Sequence, residues 1–274
     1  MTSIIAASPS SSGSRDALHA LAWMVEKDTG KKRRKKEMKA CPFGNAFAIS
    51  ADFAVTARHN IFPVSAGSGK LIMVQKTDAL NHAVLECDII EVECIWNNEP
   101  ENVAVLKRLC GHFPVFVDIC DESEMPARRS FVTIKDFPVG LSCSSSSSTP
   151  LEIVSHKCEI TQYQYRELAK KKEKTASLKS SELTVLSSSA RRRKTTVKPQ
   201  DVLVVHIGRV GGSSGAPYFA ENGKVVAFHV ESIDDDYGAT ASPNSHTSYS
   251  RGYVLCRLPN FVRWYNRTMT DKRI

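Results

Sequence analysis

The segment that most constrains the fold is residues 212–217, with the sequence GSSGAP. Glycines on both sides of a serine pair let the main chain turn tightly, so that N–H groups can point at one spot and hold an oxyanion. Far upstream, residues 53–59 read FAVTARH, which predicts a short strand followed by a histidine. Together the two segments predict a nucleophile and a base that only a tertiary fold can bring together.

Many short apolar runs separated by turn signals predict an all-β chain. Ala51-Asp52, between runs at 43–50 and 53–56, and Asn222-Gly223, before a run at 224–230, are typical of tight hairpin turns. A closing helix is predicted over residues 258–268. The other predicted strands cover residues 17–25, 71–74, 83–85, 89–92, 103–106, 115–117, 131–134 and 202–207.

The length of 274 residues leaves room for one large or two small units with cores of their own. We expect a disordered lead over residues 1–15, an N-terminal β-barrel over 16–120 and a C-terminal β-barrel over 121–274. The second barrel is expected to carry a serine-rich loop at 142–150 and a flexible basic and serine-rich insertion at about 166–200.

The net charge of +8 is concentrated in three basic runs, residues 31–36, 170–172 and 191–194, which hold six, three and four of the 37 Lys and Arg residues. Such runs are typical of solvated loops, because like charges repel one another. The alternative is nuclear import or an anionic partner that binds these loops. No nucleic-acid-binding motif accompanies the runs, which argues against sequence-specific readout.

The spacing of the cysteines and the length of the apolar runs indicate in which cellular compartment the protein is found. The eight cysteines form no CxxC pair and no zinc-ligand spacing, so we expect free thiols, no metal and a reducing environment. No apolar run approaches the ~20 residues that span a bilayer, and residues 1–15 do not read as a secretory signal. We therefore expect an intracellular protein, cytoplasmic or nuclear, with no membrane span.

The order of the two motifs, histidine early and serine late, resembles that of the trypsin/chymotrypsin-like serine peptidases. The resemblance implies two antiparallel six-stranded barrels, no cofactor, and a peptide or protein substrate. Ser214 occupies the position of the nucleophile, and its N–H with that of Gly212 would form the oxyanion hole. His59 matches the base, with Arg58 in place of an alanine. Secreted members carry a cysteine directly after this histidine, where the present chain has Asn60.

Residues 211–215, GGSSG, also fit Gly-x-Ser-x-Gly, which would place Ser213 on the nucleophile elbow of an α/β-hydrolase. That fold requires an acid and a histidine after the serine and a parallel sheet with alternating helices. Only about sixty residues follow Ser213, and no strand–helix alternation precedes it. The hydrolase frame is therefore the weaker one.

The third member of the triad departs from the family pattern. The family carries Asp-x-Ala-x-Leu, and residues 102–106 here read NVAVL, so that Asn102 stands in the aspartate position. An asparagine brings no negative charge and can select the wrong imidazole tautomer, a change that costs ~10⁴ in kcat in a serine protease. Three interpretations stay open: a slow serine protease, a neighbouring carboxylate such as Glu101 in its place, or an inactive protease fold that binds peptide or protein.

The strand after the nucleophile, residues 223–231, is expected to bind substrate. Picornavirus-type proteases carry Gly-x-His-x-Gly in this strand, with a histidine that reads a P1 glutamine, and His229 falls on its position. Arg209 replaces the small hydroxyl residue of that pattern and could favour an acidic or amide P1 side chain. Val230, Glu231 and Ser232 would pair with the substrate backbone. The alternative is a core-facing His229 with Arg209 turned to solvent.

Overall fold

The computed structural model describes residues 17–27, 37–61, 70–74, 89–137, 153–164, 201–206, 213–234 and 248–270. The expected lead at 1–15, the strand at 83–85, the serine-rich loop at 142–150, the insertion at 166–200 and the three basic runs lie outside the described residues. Within the described part of the chain, no helix is long and apolar enough to cross a membrane.

Six antiparallel strands form the first closed barrel, in the order β1-β2-β3-β6-β5-β4. Its strand β3 is buried at every position and its residues are apolar except for a threonine, as in a strand covered on both faces. The strands are β1 (Leu18–Lys27), β2 (Glu37–Ala48), β3 (Phe53–Ala57), β4 (Lys70–Val74), β5 (Ile89–Asn98) and β6 (Val103–Arg108).

A second closed barrel of six antiparallel strands has the order β10-β11-β12-β9-β8-β7. The turn between β10 and β11 contains Gly223 at φ 81°, as the Asn-Gly pair predicts. The strands are β7 (Phe131–Asp136), β8 (Val154–Gln164), β9 (Val202–Val205), β10 (Pro217–Phe219), β11 (Val225–Asp234) and β12 (Ser248–Val254). The predicted fold class, two six-stranded barrels with a C-terminal helix, is confirmed.

Two local predictions are wrong. Residues 115–117 are not a strand but part of the connection between the barrels. Val117 donates to Ala48 of the first barrel, and Ile119 bridges to Val225 of the second. Val115 and Val117 pack in the apolar cluster between the barrels, while Phe116 is exposed. The turn between β2 and β3 spans residues 49–52 rather than two residues. The Ser50 hydroxyl accepts the backbone N–H groups of Asp52 and Phe53.

The predicted closing helix, α1 (Pro259–Thr270), packs on the first barrel although it follows the last strand of the second. Trp264 stacks on Trp96 of β5 at 5.8 Å and meets Phe53 of β3 edge-on at 5.5 Å. Phe261 belongs to a cluster that also contains core residues of both barrels. One apolar cluster therefore joins the two barrels and the helix, in addition to the clusters inside each barrel.

Candidate active site

The loop before β10 presents Ser214 at the interface of the two barrels. Gly215 has φ +86°, a conformation that side-chain-bearing residues rarely adopt, and a Cβ there would lie 2.0 Å from the carbonyl oxygen of Asn45. The loop is tied to β11, since the Gly215 N–H donates to the His229 carbonyl oxygen at 2.8 Å. Ser214 is half-buried, and its hydroxyl donates to the Val230 carbonyl oxygen at 3.4 Å. Gly212, the other expected oxyanion donor, lies outside the described residues.

His59 lies in a single 3₁₀ turn, Arg58–Asn60, directly after β3. The backbone turns back there because the Arg58 N–H donates to the carbonyl oxygen of Asn102 at 2.8 Å, and the Ile61 N–H closes onto Arg58 at 2.9 Å. The turn therefore places His59 beside Asn102, the residue that precedes β6. Among the described contacts, none joins the His59 imidazole to the Ser214 hydroxyl.

The Asn102 side chain makes two kinds of contact with His59. Its Oδ1 accepts the backbone N–H of His59 at 3.1 Å, and this bond requires an oxygen at that position, because an amide NH₂ cannot accept. The imidazole Nδ1 lies 2.8 Å from Nδ2 and 3.2 Å from Oδ1 of the same amide. The nearer group is a donor, so Nδ1 accepts and the neutral ring carries its proton on Nε2.

The pKa of His59 is lowered from its ordinary value, chiefly because neighbouring protein atoms desolvate the charged imidazole, although the residue keeps a solvent-exposed side. A hydrogen bond from the protonated ring to Oδ1 of Asn102 and the negative charge of Glu231 act in the opposite direction and do not outweigh it. His59 is therefore neutral at neutral pH, which a general base requires, although its proton lies on the wrong nitrogen for that role.

The turn that carries Asn102 is braced from the histidine side. Asn102 has φ 48°, in the left-handed region where asparagine is tolerated better than most residues. Arg58 donates through Nε to Asn97 at 3.1 Å and pairs with Glu99 at 3.5 Å. The Glu101 N–H is accepted by the side chain of Asn98 at 3.0 Å. Arg58, which departs from the family pattern, thus ties the histidine turn to the Asn102 turn.

Glu101 is buried, and its carboxylate is bonded to helix α1. One oxygen accepts the N–H of Asn260 at 2.8 Å and the other that of Phe261 at 2.9 Å. These are among the N–H groups that a helix leaves unpaired at its start, and Leu258, which precedes the helix, has no side chain that could cap them. The structure therefore places the Glu101 carboxylate on the helix rather than on His59.

Ser213, the nucleophile of the hydrolase frame, is buried, and its hydroxyl donates to Oδ2 of the buried Asp136 at 2.5 Å. A nucleophile elbow would expose this hydroxyl at the end of a parallel sheet. The two antiparallel barrels overturn the hydrolase frame, because they contain no such sheet.

The structure places His229, Val230 and Glu231 on β11, beside the Ser214 loop. His229 is buried, and its Nδ1 lies 2.9 Å from the hydroxyl of the buried Tyr218. The pairing of β11 with β12 shifts between His229 and Glu231, so Val230 lies at an irregularity in the ladder. Glu231 is exposed and pairs with Arg251 at 3.1 Å, while Arg209 lies outside the described residues.

Sequence reasoning missed three residues that hold Ser214. The carbonyl oxygen of Ser214 accepts the backbone N–H of Asn45 at 2.8 Å and the side-chain amide of Asn60 at 2.9 Å, and Asn60 in turn bonds to Thr56. Asn60 immediately follows His59, which was its only signal in the sequence. Asn45 is 169 positions from Ser214, so no local pattern could reveal its contact.

No protein-family model and no curated protein matches the sequence. Among solved structures, an inactive form of Rv3671c from M. tuberculosis H37Rv with a serine-to-alanine substitution matches with a TM-score of 0.51 and 13% identity, over 95% of this chain and 92% of that one. The active form of the Rv3671c protease gives 0.51 and 13%, over 96% and 90%. A further inactive form gives 0.50 and 14%, over 95% and 98%. These neighbours and the two closed barrels together show that the chain has the trypsin-like two-barrel fold.

Proposed function

We propose that this protein is a serine endopeptidase in which Ser214 is the nucleophile and His59 the base. One contact carries the proposal: Asn60, the neighbour of His59, donates its side-chain amide to the carbonyl oxygen of Ser214 at 2.9 Å. The two motifs, which are far apart in sequence, therefore meet between the barrels. This is the arrangement that an acyl-enzyme mechanism requires of its nucleophile and base.

In this mechanism the Ser214 hydroxyl attacks the scissile carbonyl carbon and gives its proton to His59. The oxyanion is held by the backbone N–H groups of Gly212 and Ser214. Removal of one such donor typically lowers the rate by ~10²–10³. His59 then protonates the leaving amine, and water hydrolyses the acyl-enzyme by the same route in reverse. The conformation of Gly215 supports the proposal, because its left-handed φ lets the backbone turn directly after Ser214.

Asn102 sets the rate of this proposed enzyme. Before it can accept the Ser214 proton, the imidazole must move its own proton from Nε2 to Nδ1, where only the Oδ1 at 3.2 Å can accept it. The resulting imidazolium then faces an uncharged amide instead of a carboxylate. We therefore expect slow hydrolysis, lower than that of an aspartate enzyme by up to ~10⁴.

The substrate is a peptide that pairs with the exposed part of β11. Strand β10 accompanies β11 only as far as Phe228, and from Val230 onward the described residues place a neighbouring strand, β12, on one side only. An extended peptide can add to the other side by backbone hydrogen bonds. We propose that His229, with Arg209, reads an amide or acidic P1 side chain. Tyr218 supports this assignment, because its hydroxyl fixes the orientation of the imidazole.

A second candidate, an inactive module that binds peptide or protein through the same edge of β11, is favoured by a different observation. The Ser214 hydroxyl donates to Val230, and Nδ1 of His59 lies nearest to a donor, so each group has a partner that opposes catalysis. In this candidate, the open edge of β11 would still bind peptide, but no proton would pass from Ser214 to His59.

Labelling with a fluorophosphonate probe separates the two candidates, because the probe reacts only with an activated serine. The wild type should label slowly, Ser214→Ala and His59→Ala should not label, and Ser213→Ala should label at about the wild-type rate. Ser213 is the matched control, since it is the adjacent serine and its hydroxyl is occupied by Asp136. Folded wild type that never labels, together with peptide binding that survives Ser214→Ala, would leave the inactive module as the function.

A further inference from the structure

The peptide unit between Ser214 and Gly215 is held from both barrels at once. Its carbonyl oxygen accepts hydrogen bonds from the first barrel, one from the backbone of Asn45 at 2.8 Å and one from the side chain of Asn60 at 2.9 Å. Its N–H donates to His229 of the second barrel at 2.8 Å. Because this planar unit is bonded at both ends, its orientation, and with it the backbone position of Ser214, is set by these three partners.

The Asn60 side chain is itself held in place. Its amide nitrogen also donates to the Thr56 hydroxyl at 3.0 Å, and that hydroxyl donates to the carbonyl oxygen of Asn45 at 2.7 Å. The Asn45 side chain bonds to both backbone groups of Phe137, at 2.7 and 3.1 Å. Asn45, Thr56 and Asn60 are all buried, and a buried network in which each polar group has a partner is rigid.

Two glycines make room for this network. A Cβ on Gly44 would lie 2.5 Å from the amide nitrogen of Asn60, and one on Gly215 would lie 2.7 Å from the Thr56 hydroxyl. The Asn60 amide therefore lies directly against the backbone of β2, in a space that would not exist with any larger residue at position 44. This close fit indicates that the Asn60 amide is packed in a specific position, unlike a surface amide that happens to lie nearby.

We infer that Asn60 is a positioning residue, which holds the Ser214 peptide against the first barrel by a hydrogen bond across the interface. The inference rests on the proposed function only for its catalytic consequence. The hydrogen bond spans two barrels, so its loss should loosen the Ser214 loop and misplace the hydroxyl relative to His59. The proposed peptide site is the edge of β11, which Asn60 does not contact in the described residues, so the loss should act on the chemical step more than on binding.

The first measurement is backbone hydrogen exchange in wild type and Asn60→Asp. The variant keeps the size of the side chain but replaces the donor NH₂ with a carboxylate oxygen that faces the oxygens of Ser214 and Thr56. Exchange of the Asn45 and Gly215 amides should rise about tenfold or more for the lost bond, while amides in β6 stay protected. Asn222→Asp makes the same change of charge in an exposed turn and is the matched control.

Thr56→Val and Thr56→Ser test the network without touching Asn60, and decide the matter if Asn60→Asp fails to fold. Valine removes the hydroxyl that accepts from Asn60 at nearly the same volume, and serine retains it. Exchange at Gly215 should rise in the valine variant and stay near the wild-type value in the serine variant. Equal exchange in wild type, Asn60→Asp and Thr56→Val would overturn the inference.

Probe labelling then reads the catalytic consequence. Asn60→Asp should lower the maximal labelling rate about tenfold or more while leaving the probe concentration for half-maximal rate within about twofold. If the variant changed only the probe concentration for half-maximal rate and kept the wild-type maximal rate, the positioning role would be overturned. If the wild type does not label at all, the proposed function fails, and the exchange result still decides whether Asn60 holds the Ser214 peptide.

Discussion

The side-chain nitrogen of Asn102 lies 2.8 Å from Nδ1 of His59, nearer than the side-chain oxygen at 3.2 Å. The orientation of the amide follows from the backbone, because the His59 N–H needs the oxygen as its acceptor. An aspartate at this position could accept from both the backbone N–H and the imidazole N–H at once. A single atomic replacement, NH₂ for O⁻, therefore decides which imidazole nitrogen carries the proton.

Asn102→Asp should activate the enzyme. The carboxylate would draw the imidazole proton to Nδ1, leave Nε2 free to accept from Ser214, and raise the pKa of His59 by its negative charge. We expect fluorophosphonate labelling to rise by about 10²–10⁴. In the wild type, where burial lowers the pKa of His59, the labelling rate should fall off only below pH 6.5, and the variant should lose activity at a higher pH.

Asn98→Asp is the control for this gain, since it adds the same charge to the same turn and retains the oxygen that accepts the Glu101 N–H. It should leave the labelling rate within a few-fold of wild type. A folded Asn102→Asp protein that labels no faster than wild type would show that the obstacle lies elsewhere in the site, and it would favour the inactive module.

Glu101→Ala should destabilise the protein through helix α1. The substitution removes the acceptor of two helix N–H groups, one part-buried and one buried, and we expect a loss of about 2–4 kcal/mol in the free energy of unfolding. Glu99→Ala, in the same turn, should cost no more than about 1 kcal/mol, because the Glu99 side chain is 79% exposed and its ion pair with Arg58 is long. Urea unfolding of both variants measures the difference, and equal losses would contradict the capping role.

The sequence predicted both barrels because strands such as β3 and β6 are short apolar runs with clear ends, and local composition determines them. The prediction failed at residues 115–117, where Val115 and Val117 pack between the barrels and the backbone does not pair as a β-strand. Local composition cannot distinguish these uses, since residues 115–117 alternate between buried and exposed side chains as a half-buried strand does. Only the backbone partners differ, and those come from remote segments.

The site was predicted unevenly for the same reason. Each of His59, Asn102 and Ser214 lies in a short motif that can be recognised from a few neighbouring residues. The turns after β3 and before β6 bring His59 and Asn102 together. The carboxylate of Glu101 is next to Asn102 in sequence, yet its partners are 159 and 160 positions away on the helix. The amide of Asn60 similarly finds its partner 154 positions away. Contacts of this range follow from the packed fold alone.

Gly215→Ala should prevent the Ser214 loop from adopting its conformation. The added Cβ would meet the Asn45 carbonyl oxygen at 2.0 Å, in addition to the strain of φ +86°. Gly223→Ala isolates the strain, because Gly223 has φ +81° and no atom lies within 4 Å of its Cβ position. We expect about 1–2 kcal/mol for Gly223→Ala, and clearly more for Gly215→Ala together with loss of labelling. Similar losses at the two glycines, measured by urea unfolding, would refute the close contact with Asn45.

His19 should make the protein lose stability as the pH falls. Burial lowers its pKa from 6.5 to about 4, its Nδ1 lies 3.0 Å from the Ala17 carbonyl oxygen, and its Nε2 has no hydrogen-bond partner within the described chain. Between pH 6.5 and pH 4 the unfolded chain therefore binds a proton that the folded one does not. The folded state should lose about 1.4 kcal/mol per pH unit from this residue, and about 3 kcal/mol in all.

His19→Phe tests this dependence, because phenylalanine retains a ring against Phe113, which His19 meets edge-on at 5.6 Å, and does not titrate. Urea unfolding of both proteins from pH 6.5 to pH 4.5 gives the two slopes of stability against pH. The variant should have the shallower slope by about 1 kcal/mol per pH unit, whatever its absolute stability. His59, whose pKa burial also lowers, contributes equally to both proteins and cancels in the comparison. Parallel slopes would mean that His19 binds its proton in the folded state as readily as in the unfolded one.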